Sequence, residues 1–192
     1  MALTDWLLDR AFGNPRGILG NVGGRVMART NDDAARWVVS LLDLAPTDRV
    51  LEVGFGPGVG IELASAAASE GFVAGVDPAK GMVEQARRRN ATAIEAGRVE
   101  LRRGVADDLP YADGTFDAAF SVNSMQVWPD AVAGLRELHR VLKPGGSVAL
   151  AFTPHAGGSR DELPGPLARA GFERVRIREQ DEAFCATATA TK

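Results

Sequence analysis

The sequence predicts an α/β fold, with a doubly wound, mostly parallel seven-stranded sheet that ends in an antiparallel C-terminal edge hairpin. From Arg49 onward, short apolar runs typical of buried strands alternate with segments of helical periodicity. This alternation favours a parallel sheet with helices on both faces. The last two strands are joined only by residues 179–182. Such a link is too short for a parallel crossover, so these strands are predicted to form a hairpin.

The predicted elements alternate along the chain from residue 50 to residue 189. Strands are expected over 50–53, 72–76, 99–102, 116–122, 147–152, 174–178 and 183–189. Helices are expected over 59–70, 79–90, 130–142 and 162–170. The helix over 130–142 is typical, because its apolar residues recur at helical spacing along one side. These residues are Ala131, Leu135, Leu138 and Leu142.

Residues 1–45 differ in texture from the rest and are predicted to form an N-terminal helical cap or lid segment, ahead of an α/β domain over 46–192. A short amphipathic helix is expected over 3–12, followed by a glycine-rich stretch over 13–24. Asn31 is interpreted as the N-cap of a further helix, since Asp32 and Asp33 fall in its first turn. Apolar residues among the glycines suggest a cover over a hydrophobic small molecule. Packing against the sheet edge or another subunit is the alternative.

Composition and charge exclude several classes of protein. The 192 residues carry a net charge of −3, which gives no electrostatic reason to expect a nucleic-acid partner. The sequence has no run near the ~20 apolar residues of a membrane span, and charges among residues 5–10 argue against a signal peptide. A cytoplasmic protein is therefore expected. The single cysteine, Cys185, allows neither an internal disulfide nor a thiolate metal cluster, and no metal site is predicted.

Four glycines, at positions 54, 56, 58 and 60, follow the first predicted strand and open the next helix. In a doubly wound sheet this turn lies at the carboxyl edge, where ligands bind. Glu52 stands at the tip of the otherwise apolar strand, where a carboxylate requires a cation or donors. It would repel a pyrophosphate at the helix N-terminus and would suit the ammonium of a methionyl group. Asp77 is placed to accept both hydroxyls of a ribose, and Met82 to lie against an adenine.

Five segments of the chain resemble, in order, motifs of class I S-adenosylmethionine-dependent methyltransferases of the UbiE-like, or methyltransferase type 11, branch. They are VLEVGFGPG at 50–58, DP at 77–78 with Met82, DDLPY at 107–111, GTFD at 114–117 and RVLKPGG at 140–146. The similarity covers about residues 49–152. It implies a Rossmann-like fold, S-adenosyl-L-methionine as the cofactor and 46–192 as the domain that binds it.

The resemblance also implies how the methionine and ribose portions of the cofactor would be held. Gly54, Gly56 and Gly58, with Phe55 between them, would pass the methionine portion. Glu52 would help to seat the amino group, and Asn123 would face the same end. Asp77 would hold the ribose.

For the adenine, the resemblance implies that Pro78 and Met82 flank the ring and that Ala106 offers its backbone N–H to it. Val105 is a departure, because relatives commonly carry an aspartate at this position. Asp107, Asp108 or a backbone carbonyl is therefore expected to take the exocyclic amine.

The sequence leaves the catalytic residues unassigned. Methyl transfer from a sulfonium is an in-line displacement in which the cofactor carries the reactivity, and the protein supplies proximity and alignment. His155, Asn31 and Gln126 are the candidates near the mouth of the site, with a plain loop residue as the alternative for His155 and the helix cap for Asn31. His139 is expected at the surface.

The methyl acceptor is expected to be a small apolar or aromatic molecule. A quinone is not carried over from UbiE-like relatives, because residues 153–161 are too few for their substrate-covering insertion. The cover would come from the N-terminal segment or from a second subunit, which leaves a homodimer open.

Two other functions compete with methyl transfer. One is a protein of the same fold that binds S-adenosylmethionine without methylating anything. The other is an NADP-dependent oxidoreductase, since Gly54, Gly56 and Gly60 fit the looser spacing of phosphorylated nicotinamide sites. Asp77 would then repel the 2′-phosphate, and Glu52 would have no role.

Overall fold

The computed structural model describes residues 31–154, 156–157 and 159–191. Its seven strands form one sheet in the order β3-β2-β1-β4-β5-β7-β6. The strands are β1 Arg49–Val53, β2 Phe72–Asp77, β3 Val99–Arg103, β4 Phe116–Val122, β5 Leu142–Phe152, β6 Phe172–Gln180 and β7 Ala183–Ala190. The helices are α1, described over 31–41, α2 Val59–Ala67, α3 Lys80–Arg89, α4 Ala91–Glu95, α5 Ala131–Val141 and α6 Pro164–Arg169.

The sheet topology confirms the predicted fold. Strands β1 to β5 pair in parallel, whereas β7 pairs antiparallel with both β5 and β6. The C-terminal hairpin therefore closes the β5 side of the sheet, with β6 at the edge. The strand order reverses between β1 and β4. Such a reversal opens a crevice at the carboxyl ends of the strands, where ligands bind in this architecture.

Two apolar clusters cover the two faces of the sheet. One contains residues of α5 and α6, such as Leu135 and Leu167. The other contains residues of α2 and α3, and also Val38 and Leu42. Val38 is fully buried, so helix α1 belongs to the same core as the first strands of the sheet.

The element boundaries differ from the sequence prediction in places where tertiary pairing decides them. β5 begins at Leu142 rather than at 147, because Leu142 already pairs with Phe116; the extra residues of the irregularity that follows lie on β5. α4 was not predicted, nor was the 3₁₀ turn Met125–Val127 after β4. Asp130 lies just before α5, and its side chain accepts the backbone N–H of Ala133 at 2.9 Å, which caps that helix.

His139 and Cys185 are both enclosed by the fold to a degree that affects their interpretation. His139 was expected at the surface, but it is half-buried, with its ring edge-on to Phe172 and its Nε2 enclosed. Cys185 is fully buried in β7, and burial raises the pKa of its thiol to about 12. This agrees with an unreactive cysteine in a strand.

Among the described residues, no helix is long and apolar enough to cross a membrane. The same part of the chain contains no group of three His, Cys, Asp or Glu side chains placed to hold a metal ion.

Candidate functional site

A cavity of about 500 Å³ lies at the carboxyl ends of β1, β2 and β4. Its walls come from the glycine turn after β1, the start of α3, the end of β4 and helix α1. The lining residues are Asn31, Asp32, Ala35, Glu52, Gly54, Phe55, Gly56, Pro57, Val59, Gly60, Asp77, Pro78, Ala79, Met82, Gln85, Arg89, Val122, Asn123, Ser124 and Val127. Glu52, Asp77 and Asn123, predicted from distant parts of the sequence, therefore meet in one cavity.

The glycines of the turn face different neighbours. A Cβ on Gly58 would lie 2.7 Å from Cβ of Ala86, so this glycine packs against α3 and does not line the cavity. A Cβ on Gly54 would collide with the side chain of Ser124. A Cβ on Gly56, in contrast, would meet no atom within 4 Å. Of the turn glycines at 54, 56, 58 and 60, Gly56 alone presents open space to a ligand.

Asp77 joins the end of β2 to the glycine turn. Its Oδ2 accepts the backbone N–H of Gly56 at 2.9 Å, and its Oδ1 accepts that of Ala79 at 2.8 Å. Burial raises the pKa of the Asp77 carboxyl, although the N–H groups of Ala79 and Gly56 act in the opposite direction. Because of these two bonds, Asp77 holds the glycine turn in place as well as lining the cavity. The sequence analysis did not predict them.

Glu52 lies beneath the first turn of α2, with only 3% of its surface exposed. Its Oε2 is enclosed and has no hydrogen-bond partner among the described residues. Burial raises the pKa of Glu52 well above its ordinary value, the charge of Asp77 adds to the rise, and the N–H of Ile61 opposes it. A buried oxygen without a hydrogen-bond partner costs free energy. Among the described residues, no donor serves Oε2 of Glu52.

Asn123 fixes the other end of the cavity. Its Nδ2 donates to Oδ1 of Asn31 at 2.6 Å and to Oγ1 of Thr153 at 2.9 Å, and its Oδ1 accepts the N–H of Thr153 at 2.8 Å. The residue has a φ of +50°, a conformation that asparagine tolerates better than most side chains. These bonds tie α1 to the ends of β4 and β5.

Asn31 is not the helix cap that the sequence suggested. Residue 31 is already helical, and its side-chain oxygen is engaged with Asn123 at the cavity.

The residues expected at the adenine end are brought together only in part. Pro78 and Met82 line the cavity, with Gln85 from the next turn of α3. Ala106 is buried among apolar side chains, and Asp107 is exposed; neither lines the cavity. Val105 forms a bridge with Asp108 beside them.

Of the two candidates for a role at the acceptor that the structure describes, Asn31 lines the cavity and Gln126 does not. Gln126 is exposed, and its neighbour Val127 lines the wall instead. His155 lies outside the described residues. Ser124, which was not predicted, accepts the indole N–H of Trp128 at 3.0 Å. This bond holds the turn after β4 against Gly54.

Arg140, in the motif RVLKPGG, holds the loop after β3. Its guanidinium donates to the backbone oxygens of Leu109 and Tyr111 and to the carboxylates of Asp113 and Glu137, at 2.7–3.0 Å. The hydrogen bonds that Arg140 donates to the carboxylates of Glu137 and Asp113 raise its pKa further above the ordinary value, against the effect of burial. The motif arginine is therefore structural, a role that the sequence did not reveal.

The geometry fits the cofactor that the motifs implied. The unpartnered oxygen of Glu52 matches an ammonium donor, the open side of Gly56 admits a ligand against the backbone, and Asp77 keeps free lone pairs. A carboxylate has about four acceptor sites, of which two are used by backbone N–H groups.

Comparison with known proteins gives a consistent result. The family described as methyltransferase domain matches residues 51–150, just over half of the chain. The uncharacterized methyltransferase YdaC of Bacillus subtilis is 28% identical over 179 residues, which cover 87% of this chain and 97% of YdaC.

Two further similarities concern a quinone-pathway enzyme and a solved structure. The ubiquinone/menaquinone biosynthesis C-methyltransferase UbiE of Geotalea daltonii is 34% identical over 116 residues, 60% of this chain. The matched part spans about half of that relative, 49% of its length. The crystal structure of a SAM-dependent methyltransferase from Aquifex aeolicus superposes with a TM-score of 0.74 at 25% identity, covering 82% of this chain and 89% of that one.

Proposed function

Since the chain belongs to the methyltransferase domain family and is an S-adenosylmethionine-dependent methyltransferase, we propose that it methylates a small apolar or aromatic molecule beside the cavity over the glycine turn. The observation that carries the proposal is the meeting of Glu52, whose Oε2 has no partner among the described residues, with Asp77 in one cavity of about 500 Å³. The family membership argues against the nicotinamide alternative.

The residues that would hold the cofactor follow from the walls. Glu52 accepts from the amino group, Gly56 lies against the methionine chain, and Asp77 accepts from the ribose while keeping the turn in place. Pro78 and Met82 flank the base. When bound, the cofactor supplies an electrophilic methyl group on a sulfonium.

The wall between α1 and the turn after β4 supports an apolar acceptor. Ala35, Val122 and Val127 line it, and Val127 is 48% exposed, an uncovered apolar side chain at the mouth. The polar groups there are the neutral amides of Asn31 and Asn123, the hydroxyl of Ser124 and the carboxylate of Asp32, a weakly basic group. Among the described residues, this wall offers alignment rather than a strong base, so the protein acts by proximity and orientation. The quinone pathway of the Geotalea relative is not transferred, because the match spans half of that protein.

We also propose that residues 1–24 belong to a cover over the acceptor. Helix α1 supports this, because Asn31 and Asp32, the first residues that the structure describes, line the cavity. Deleting residues 1–24 should leave a folded protein that binds the cofactor but no longer transfers methyl groups. A deletion that unfolds the chain or changes its oligomeric state would show a structural segment instead.

Binding and transfer are tested separately. Isothermal titration should show micromolar binding of S-adenosylhomocysteine and no binding of NADPH. Incubation with cofactor labelled in its methyl group and a small-molecule extract should then give a labelled product. Failure to bind S-adenosylhomocysteine would overturn the assignment of the cavity. Binding without labelled product in extracts and in a panel of phenols would favour a non-methylating protein of the same fold.

A further inference from the structure

Few groups around Glu52 stabilise a negative charge on its carboxylate. The side chain lies beneath Gly60, where a Cβ would approach Oε2 to 2.6 Å. In the sheet its neighbours are Gly75 of β2 and Phe120 of β4, which offer no side-chain donor. Helix α2 contributes the N–H of Ile61. The second carboxylate oxygen is left without a donor in the described structure.

The charged groups around the cavity do not neutralise Glu52. Asp77 on β2 carries the same charge, as does Asp32 on α1, which lines the same cavity. Arg89 on α3 also lines the cavity, but its guanidinium is 3.1 Å from the carboxylate of Glu62. No cation among the described residues is paired with Glu52. A carboxyl in these surroundings holds its proton, because ionisation would leave a buried charge without a partner.

A ligand ammonium changes this balance. It supplies both the positive charge and the N–H donors that the free cavity lacks, and a charge-assisted bond to the ionised carboxylate is stronger than one to the neutral acid. Asp77 is different, because two backbone N–H groups already support its charge. We propose that binding of the cofactor expels one proton from the Glu52 carboxyl into solvent, so that affinity for ligands bearing this ammonium rises with pH. This inference rests on the proposed function of the cavity.

The direction of the linkage follows from the protonation states. If the free protein is protonated at Glu52 and the complex is not, one proton is released for each ligand bound. The dissociation constant then falls about tenfold per pH unit, as long as the pH lies between the pKa of Glu52 in the complex and its higher pKa in the free protein.

The test compares two ligands that share adenine and ribose. S-adenosylhomocysteine carries the ammonium, whereas 5′-methylthioadenosine lacks the amino-acid portion. Titration calorimetry of the full chain at pH 6, in buffers with different heats of ionisation, counts the protons released. We expect about one proton with S-adenosylhomocysteine and about none with 5′-methylthioadenosine. The affinity for the first ligand should rise between pH 5.5 and pH 7.5, while that for the second stays flat.

The matched control is Glu52→Gln, which preserves the shape of the side chain and leaves both histidines in place. This variant should bind S-adenosylhomocysteine with about no proton release and with an affinity that does not depend on pH. Binding of S-adenosylhomocysteine to the parent without proton release, or equal pH profiles for the two ligands, would overturn the inference alone. Absence of binding by both ligands would overturn the proposed function and the inference with it.

Discussion

Alanine at Gly56 should mainly weaken ligand binding and alanine at Gly58 should mainly lower stability, although the two glycines are separated by one residue. Both have positive φ, +52° and +86°, so an alanine costs about 1–2 kcal/mol of backbone strain at either position. At Gly58 the new Cβ would also lie 2.7 Å from Cβ and 2.9 Å from Cα of Ala86. Because the second atom is helix backbone, α3 must shift, which costs about 1–3 kcal/mol more.

The expected losses of unfolding free energy are therefore about 1–2 kcal/mol for Gly56→Ala and about 2–5 kcal/mol for Gly58→Ala. At about 2–4 °C per kcal/mol for a chain of this size, the Tm should fall clearly further for Gly58→Ala. Ligand affinity should show the reverse order. Gly56 lines the cavity and a Cβ there would meet no protein atom within 4 Å, so in the proposed binding mode it would enter the space of the ligand, and overpacking there predicts roughly a 5- to 150-fold weaker complex.

Differential scanning fluorimetry and titration of S-adenosylhomocysteine measure the two effects on the same samples. Ser124, which faces Gly54, is untouched by both variants. The reasoning would be refuted if Gly56→Ala bound the ligand as tightly as the parent, or if it lowered the Tm as much as Gly58→Ala.

The remaining predictions concern single side chains. Asp77→Asn should weaken the binding of S-adenosylhomocysteine by about 1.5–3 kcal/mol, the contribution of hydrogen bonds to a charged group. Equal affinity of variant and parent in calorimetry would indicate that the ribose binds elsewhere. Burial raises the pKa of Glu52, so its native state keeps a proton that the unfolded chain loses, and stability should fall as the pH rises above the ordinary value of a glutamate. Urea unfolding at several pH values should show a smaller loss of unfolding free energy with rising pH for Glu52→Gln than for the parent. An equal pH dependence in the two proteins would contradict a buried, protonated Glu52. Arg140→Lys should lose about 1–2 kcal/mol of unfolding free energy, because lysine cannot serve two backbone oxygens and two carboxylates; an unchanged urea midpoint would contradict that role. Cys185, with a thiol pKa of about 12, should resist a disulfide reagent at pH 8 until the protein unfolds, and rapid labelling of the native protein would show an exposed thiol.

The fold was predictable because its signals are local. Apolar runs, helical periodicity and the short link at 179–182 each depend on neighbours in the chain, and the hairpin lies where that link requires. The position of Glu52 at a strand tip was equally visible, since a carboxylate among apolar residues is conspicuous.

The sequence could not show which glycines of the turn pack against protein atoms and which one faces open space. Gly58 is required by Ala86 and Gly54 by Ser124, and neither contact can be read from the spacing of glycines. The bond from Gly56 to Asp77 spans 21 residues, and that from Asn123 to Asn31 spans 92. Such partners are decided by tertiary packing. For the same reason, the sequence could not show that Ala106, Asp107 and Gln126 do not line the cavity.

The reversal of strand order at β1 and β4 has a consequence for the order of folding. Glu52 and Asp77 lie in the half of the sheet formed by β1 to β3, whereas Asn123 and Ser124 follow β4. The two halves meet in the parallel pairing of β1 with β4, beside which Arg49 bonds to Asp117 across 68 residues. Closing a loop of that length precedes any gain from the contacts it makes. We therefore expect the cavity to be completed late in folding, and a ligand that spans both halves to bind only chains in which this closure has taken place.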